Sequence, residues 1–189
     1  MEAITISGYL WLAFLLVWLI WAFKTKATQV RESVSSRLPY TILNVAAFYL
    51  MFSGDVPRQY LRARLFEPNV WSNALGIVIT AAGIAFAIWA RVCLGGNWSS
   101  AVSVKVGHEL VRNGPYRFVR HPIYTGLVLA LFGTAIIRHQ VRGAIALVLA
   151  YIGFKIKSRI EERTMTATFG AQYEEYSRTT GAILPRFRS

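Results

Sequence analysis

Residues 4–23 run with scarcely a polar interruption, and about twenty apolar residues is the length at which a helix crosses the hydrocarbon core of a bilayer. Nothing else in the sequence restricts the fold so strongly. In lipid every backbone N–H and C=O must be paired within the protein, which leaves helices or a closed barrel, and a continuous run of this length is helical. Further apolar runs cover 40–52, 71–90, 123–137 and 141–154. The chain is therefore predicted to be all-α, a polytopic membrane bundle with spans over about 4–23, 39–53, 71–91, 122–137 and 141–157. The second run is short and contains Asn44; it reads as a tilted span or as half of a hairpin packed on the first, with the Asn44 amide facing protein.

The chain is 54% hydrophobic and 16% charged, a higher apolar share than an average soluble domain carries. Its net charge of +12 would favour nucleic acid in a soluble protein. Here the Lys and Arg residues lie between the runs, where they meet anionic lipid headgroups, and with no nucleic-acid motif present no such partner is expected. Four follow the first run, five the third and seven lie in the tail from Lys155, against five on the other side. The excess puts the C-terminus in the cytoplasm and the N-terminus outside. Glu2 in place of a basic leader segment marks the first run as an uncleaved span, with Trp18, Trp21, Lys24 and Lys26 as interfacial anchors. Asp55 and Pro57 signal a helix start, and residues 58–66, which alternate Arg with Tyr, Leu and Phe, read as a short amphipathic helix in the interface. Cys93 is the only cysteine, and His108, His121 and His139 lack metal-ligand spacing, so neither disulfide nor metal is expected.

Residues 1–100 thus read as a transmembrane scaffold and 101–189 as the region that carries chemistry, because His108 to Gly126 crowds His108, Arg112, Tyr116, Arg117, Arg120, His121 and Tyr124 against an apolar helix. Gly114-Pro115 makes a turn there, and Pro122 suits the first turn of a helix, where its missing N–H has no intrahelical partner. His121 then falls at the N-cap, beside free N–H groups and the positive end of the helix dipole, a setting for an anion or polar ligand. The run Val141 onward is expected to leave the membrane as one long helix, which brings Glu161 and Glu162 near His121.

The ordered set GPYRFVRHPIYTG at 114–126, RIEER at 159–163, FGAQYEEY at 169–176 and PRF at 185–187 resembles the isoprenylcysteine carboxyl methyltransferase family of integral membrane methyltransferases, relatives of the phospholipid N-methyltransferases. The resemblance covers less than half of the chain. It implies S-adenosyl-L-methionine as methyl donor in a cytoplasmic pocket built from the C-terminal half. His108, Leu110, Gly114, Tyr116, Arg120, His121, Pro122, Tyr124, Glu161 and Glu162 are the implied cofactor residues, with main-chain groups between His108 and Leu110 on the adenine.

The chemistry of these residues fits that reading. Adjacent carboxylates accept from ribose hydroxyls or pair with an ammonium, although consecutive helical residues point about a hundred degrees apart and only one of Glu161 and Glu162 can face a ligand squarely. His121 can donate a ring N–H to the donor's carboxylate, and Tyr124 can offer a ring face to adenine or, by cation–π attraction, to the sulfonium. Asn97 and Trp98 are candidates for lining the active site from the opposite side, and Arg186 for holding an acceptor's carboxylate or phosphate, or alternatively a lipid headgroup. The expected activity is methyl transfer to a lipophilic or prenylated acceptor, as carboxyl O-methylation. Two other classes compete: a nicotinamide-dependent sterol-type reductase, whose C-terminal pattern is similar but whose chain is much longer, and a non-enzymatic lipid-binding scaffold.

Overall fold

A computed structural model describes residues 2–22, 28–54, 56, 59–98, 103–105 and 109–186, with only the backbone at 28–31 and 103–105. Six helices dominate: α1 Glu2–Ala22, α2 Val34–Phe52, α3 Val70–Leu94, α4 Pro122–Arg138, α5 Val141–Phe169 and α6 Ala171–Thr179. Their caps are local. Ser33 accepts from the Ser36 N–H to start α2, and Asn69 and Ser72 form a reciprocal capping box at α3. Because of the Ser33 cap, α2 begins five residues ahead of Pro39, which lies inside the helix and does not open it as expected.

α1 and α3 are long and apolar enough to cross a membrane, and α4 is a shorter apolar helix. α2 and α5 fall short of that measure. α2 carries Arg37 and Asn44, and the second half of α5 is charged. At 29 residues α5 is about 43 Å long, more than a bilayer core requires.

The tightest seam joins α3 to α4. Gly76 faces Gly133 and Gly83 faces Gly126, seven residues apart on each helix, and a Cβ on Gly83 would lie 2.4 Å from the Ala130 nitrogen. Small residues let backbones meet where lipid supplies no hydrophobic drive between helices. Beside the Gly76–Gly133 pair sits a buried polar knot: Trp11 Nε1 donates to Thr134 Oγ1 at 3.0 Å, with Ser7 Oγ 3.2 Å and Thr80 Oγ1 3.4 Å from the same oxygen. Those hydroxyls peg α1, α3 and α4 together, each pairing its polar atom inside the protein.

The second run packs chiefly on α5, while its Phe48 and Phe52 rings meet Trp11 of α1 edge-on at 5.4 and 5.7 Å. Asn44 does face protein: its amide lies against Gly153, where a Cβ would sit 2.6 Å from Asn44 Nδ2, and that nitrogen donates to the Tyr40 carbonyl. At the far end Arg138 and Arg142 both donate to the Ser53 carbonyl, tying the tight α4–α5 turn to the end of α2. The expected amphipathic helix is only a single 3-10 turn at Gln59–Arg62. Its backbone is drawn instead to the α4–α5 turn, by Leu65 N to His139 O and Val141 N to Ala63 O. The Asp55-Pro57 start signal, Arg58 and the anchors Lys24 and Lys26 lie outside the described residues.

One departure from an all-α chain is a two-stranded antiparallel ribbon, β1 Thr28–Arg31 with β2 Ser103–Lys105. Such short strands, separated by most of the first half of the chain, leave no local period to read. The ribbon joins the segments that follow α1 and α3, so the C-terminal ends of those helices gather at one end of the bundle.

Candidate active site

At that end lies a cavity of about 390 Å³, walled by α1, the 3-10 turn Gly95–Asn97, residues 109–111, the starts of α4 and α6, and one face of α5. Its size is that of a small-molecule site. From α5 the lining residues are Phe154, Lys157, Glu161 and Met165, spaced as one helical stripe. Phe14, Leu127 and Phe154 make an apolar end; Arg120, His121 and Glu161 make a charged one.

His121 organises the charged end. It is the N-cap of α4, buried, with Nδ1 3.2 Å from Glu161 Oε2 and Nε2 3.1 Å from Glu162 Oε1. Two carboxylates facing both ring nitrogens require two N–H groups, hence an imidazolium. Burial alone would discharge the ring, but the hydrogen bonds and charges of Glu161 and Glu162 outweigh it and raise its pKa. For the same reason Glu161 lies below the usual carboxylate range despite burial, held there by His121, Lys157 and Tyr124. Burial likewise raises Glu162, and His121 with Arg120 overcome it to bring that carboxyl down to about 2.

Glu161 and Glu162 have divided their roles as the helix geometry demands. Glu161 lines the cavity and takes the Tyr124 hydroxyl at 2.5 Å. Glu162 turns away, and its Oε1 accepts from Arg120 Nε at 2.9 Å and Nη2 at 2.8 Å. Arg120 Nη1 donates to the carbonyls of Ser177 and Thr180, so this guanidinium binds α4's approach to α5 and to the tail after α6. Each Glu161 oxygen keeps a second lone pair for a ligand.

Tyr124 is held edge-on to the cavity. Its ring stacks between His121 (centroids 5.6 Å apart) and Phe154 (5.1 Å), both nearly parallel. The expected ring face is thereby occupied, and both His121 nitrogens are engaged by glutamates, so neither offers what the sequence led us to expect. The start of α4 is also closed. Arg120 N and His121 N donate to the carbonyls of Gly181 and Ala182, and Thr125 Oγ1 to that of Ile183. The chain's own tail roofs the helix, and an anion there would meet carbonyl oxygens.

Asn97, Trp98, Leu110 and Tyr116 all line the cavity. Arg91 fixes the first two: its guanidinium donates to Gly95 O at 2.7 Å and Trp21 O at 2.9 Å, and lies 4.7 Å from the Trp98 ring centroid. Asn97 Oδ1 is buried without a hydrogen-bond partner among the described residues. Tyr116 is buried, and burial with the Glu161 charge pushes its hydroxyl well above the usual range. Its carbonyl accepts from the Tyr176 hydroxyl, whose own pKa burial pushes up to about 12, with Arg120 and Arg112 acting in the opposite sense.

Gly114 and Pro122 shape the wall without lining it. Gly114 has φ +55° and packs where a Cβ would meet Cys93 Sγ at 2.8 Å; Pro122 is the buried first residue of α4. Arg186 is exposed outside the cavity and donates to the Arg178 carbonyl, so it is not placed to hold an acceptor. His108 and Phe187 lie outside the described residues. The sequence reading missed Phe14, Lys157, Met165, Tyr173 and Tyr176 and took Trp18 for an interfacial anchor, yet all six line the cavity. The α5 set was available from the spacing 154, 157, 161, 165 around Glu161. The α1 residues carried no such signal.

Residues 71–172 match the family described as phospholipid methyltransferase (PEMT). The uncharacterized protein YpbQ of Bacillus subtilis is 31% identical over 108 residues, 57% of this chain and 61% of that one. Protein-S-isoprenylcysteine O-methyltransferase B of Arabidopsis thaliana is 25% identical over 158 residues, 80% of each chain. Methanethiol S-methyltransferase 1 of Bradyrhizobium diazoefficiens is 30% identical over 76 residues, 39% of this chain and 25% of that one. The alignment thus spans about three-fifths of YpbQ and a quarter of the methanethiol enzyme.

Proposed function

The chain belongs to the phospholipid methyltransferase family, and we propose that it is an integral membrane enzyme that methylates the carboxylate of a lipophilic acceptor, isoprenylcysteine-like in character, with S-adenosyl-L-methionine as donor. The observation that carries this reading is the two-ended cavity, charged around Glu161 and His121 and apolar around Phe14, Leu127 and Phe154. A polar donor and a lipophilic acceptor need such a site.

The residues present fit the donor. Glu161 has lone pairs left for ribose hydroxyls or an ammonium, and the buried Asn97 Oδ1 awaits a donor group whose absence costs about 1–3 kcal/mol. Leu110, Tyr116, Glu161 and Asn97 are the residues we assign to it directly; Arg120, His121, Tyr124 and Glu162 hold Glu161 in place, with Gly114 and Pro122 shaping the backbone around them. When bound, S-adenosylmethionine would supply an activated methyl for a carboxylate oxygen, its thioether being the leaving group that would keep the electron pair. The acceptor enters as an anion, so no residue need remove a proton. What the protein contributes is alignment and exclusion of water, with Trp98, Trp18 and Leu127 closing around the reacting groups.

We place the cavity on the cytoplasmic side with five crossings, on the distribution of Lys and Arg between the helices. A reporter fused at the C-terminus and active only outside the cytoplasm would overturn that orientation. The function is tested by calorimetry of S-adenosylmethionine and NADPH on the protein in detergent, followed by labelled methyl transfer to N-acetyl-S-farnesylcysteine. Binding of the methionine derivative, lost in Glu161→Ala, with transfer to the carboxylate, is the expected result. Binding of NADPH alone would replace the reading with the reductase.

A further inference from the structure

The buried residues of α1 are Ser7, Trp11 and Phe14, and beyond them Leu15, Leu16, Leu19 and Ile20 are each more than half exposed. Yet Leu15 and Trp18, from that weakly packed stretch, line the cavity. The Thr134 knot holds α1 only at Ser7 and Trp11. Its other end is held by Arg91, which is 3% exposed in the last turn of α3 and stands behind the cavity wall. Arg91 Nη2 donates to the Trp21 carbonyl at 2.9 Å and Nη1 to the Gly95 carbonyl at 2.7 Å. Both carbonyls belong to helix C-terminal ends, where the dipole favours a cation, and the guanidinium also lies 4.7 Å from the Trp98 ring centroid and 5.7 Å from that of Trp21. Trp98 in turn meets Trp18 edge-on at 5.3 Å. One buried guanidinium thus joins α3, the last turn of α1 and the turn that carries Asn97 and Trp98.

We infer that Arg91 is a positioning residue that latches the end of α1 against the turn at 95–98, and so holds Leu15 and Trp18 as the wall on which the apolar part of the acceptor lies. The inference rests on the proposed methyltransferase function and adds to it what keeps the acceptor side of the cavity closed. The donor side does not depend on the latch. Glu161 and its supports stand on α5 and at the start of α4. The turn at 95–98 keeps its own backbone bonds, from Gly95 N to the carbonyls of Arg91 and Val92 and from Trp98 N to that of Gly95. Arginine suits the place because its planar fork reaches two carbonyls while its faces meet indoles; a lysine ammonium is a single point on a flexible stem. Arg91→Lys therefore keeps the charge and loses the latch.

The test uses the full chain in lipid nanodiscs, well below its unfolding temperature. Quenching by brominated lipid is measured with and without Trp18→Phe, and the difference reports Trp18. Arg91→Lys should raise the quenching of Trp18 and raise KM for N-acetyl-S-farnesylcysteine about tenfold, while kcat and the calorimetric affinity for S-adenosylmethionine change by less than about threefold. Trp21→Phe, which keeps the carbonyl, should leave all of these near wild type. Trp98→Leu removes the ring that Arg91 and Trp18 both meet, and should move Trp18 quenching and KM in the same direction even where Arg91→Lys does not fold. In the double variant the two effects should not add, because both act through one contact. Unchanged Trp18 quenching in folded Arg91→Lys or in Trp98→Leu overturns the inference. So does a loss of donor affinity as large as the rise in KM, which would put Arg91 in the service of the donor. Raised Trp18 quenching in a protein that transfers methyl from no donor would leave the latch standing and sink the methyltransferase reading instead.

Discussion

The two ends of α4 are joined to their neighbours by opposite means. Along its length it meets α3 through Gly126 and Gly133, backbone against backbone, with the Thr134 knot beside Gly133. At its start it meets α5 and the tail through Arg120, His121, Glu162 and the carbonyls of residues 177–183. The first joint depends on shape and has no room for a methyl group. The second depends on charge and hydrogen bonding, and has a cavity beside it. Lipid gives no hydrophobic reward for bringing helices together, so the seam must be won by close packing, whereas the start of α4 is joined by charge and hydrogen bonds and has a site beside it.

The difference is sharpest under substitution. Gly83→Leu should abolish folded protein, because even the first carbon would sit 2.4 Å from the Ala130 nitrogen and overpacking of this severity costs at least about 3 kcal/mol. Yield of monodisperse protein in mild detergent checks this, and a well-folded variant would refute backbone contact. Glu162→Gln comes next: it leaves His121 and Arg120 without their shared carboxylate and should lower stability by about 1–3 kcal/mol, discounted because Glu162 is partly exposed. Thermal unfolding followed by tryptophan fluorescence measures it, with donor affinity falling in parallel as His121 is released.

The charged joint should also respond to pH where the glycine seam does not. The folded pKa of His121 is raised above its ordinary 6.5, so its contribution is complete below that value and fades as pH rises through the folded value. Glu162 is depressed from 4.5 to about 2, so its contribution is complete above 4.5 and lost as pH falls toward 2. Stability should therefore peak between these flanks, and His121→Asn should remove the alkaline decline and shrink the acid one, since His121 is the first of the groups that depress Glu162. An unchanged alkaline flank in that variant would mean that His121 is neutral when folded. Arg186→Ala should do least, changing stability and acceptor KM by no more than about 0.5 kcal/mol equivalents, because its side chain is exposed outside the cavity. A large rise in KM would return it to the acceptor site.

Local signals were legible because they are short-ranged. Gly114-Pro115 and His121-Pro122 mark the turn and the helix start by backbone restriction alone, and the structure puts a 3-10 turn at Gly114–Arg117 and the first residue of α4 at Pro122. The crowding of Arg120, His121 and Tyr124 and the acidic pair beyond them likewise pointed to one neighbourhood. Where a reading depended on rotation about a helix axis it stayed open: nothing within 159–163 says that Glu161 faces the cavity and Glu162 faces Arg120.

What the sequence by itself determined, then, is that the chain is helical and apolar enough for a membrane, that α4 starts at Pro122, and which polar side chains have no business beside lipid. Tertiary structure alone decided that α1 walls the cavity through Phe14 and Trp18, that α2 leans on α5, that the residues after α6 roof the start of α4, and that Arg186 stays outside. The physical reason is separation along the chain. Contacts between residues a hundred positions apart leave no period or punctuation in either partner; they follow from which helix faces can approach closely, and here that was settled by four glycines and three hydroxyls.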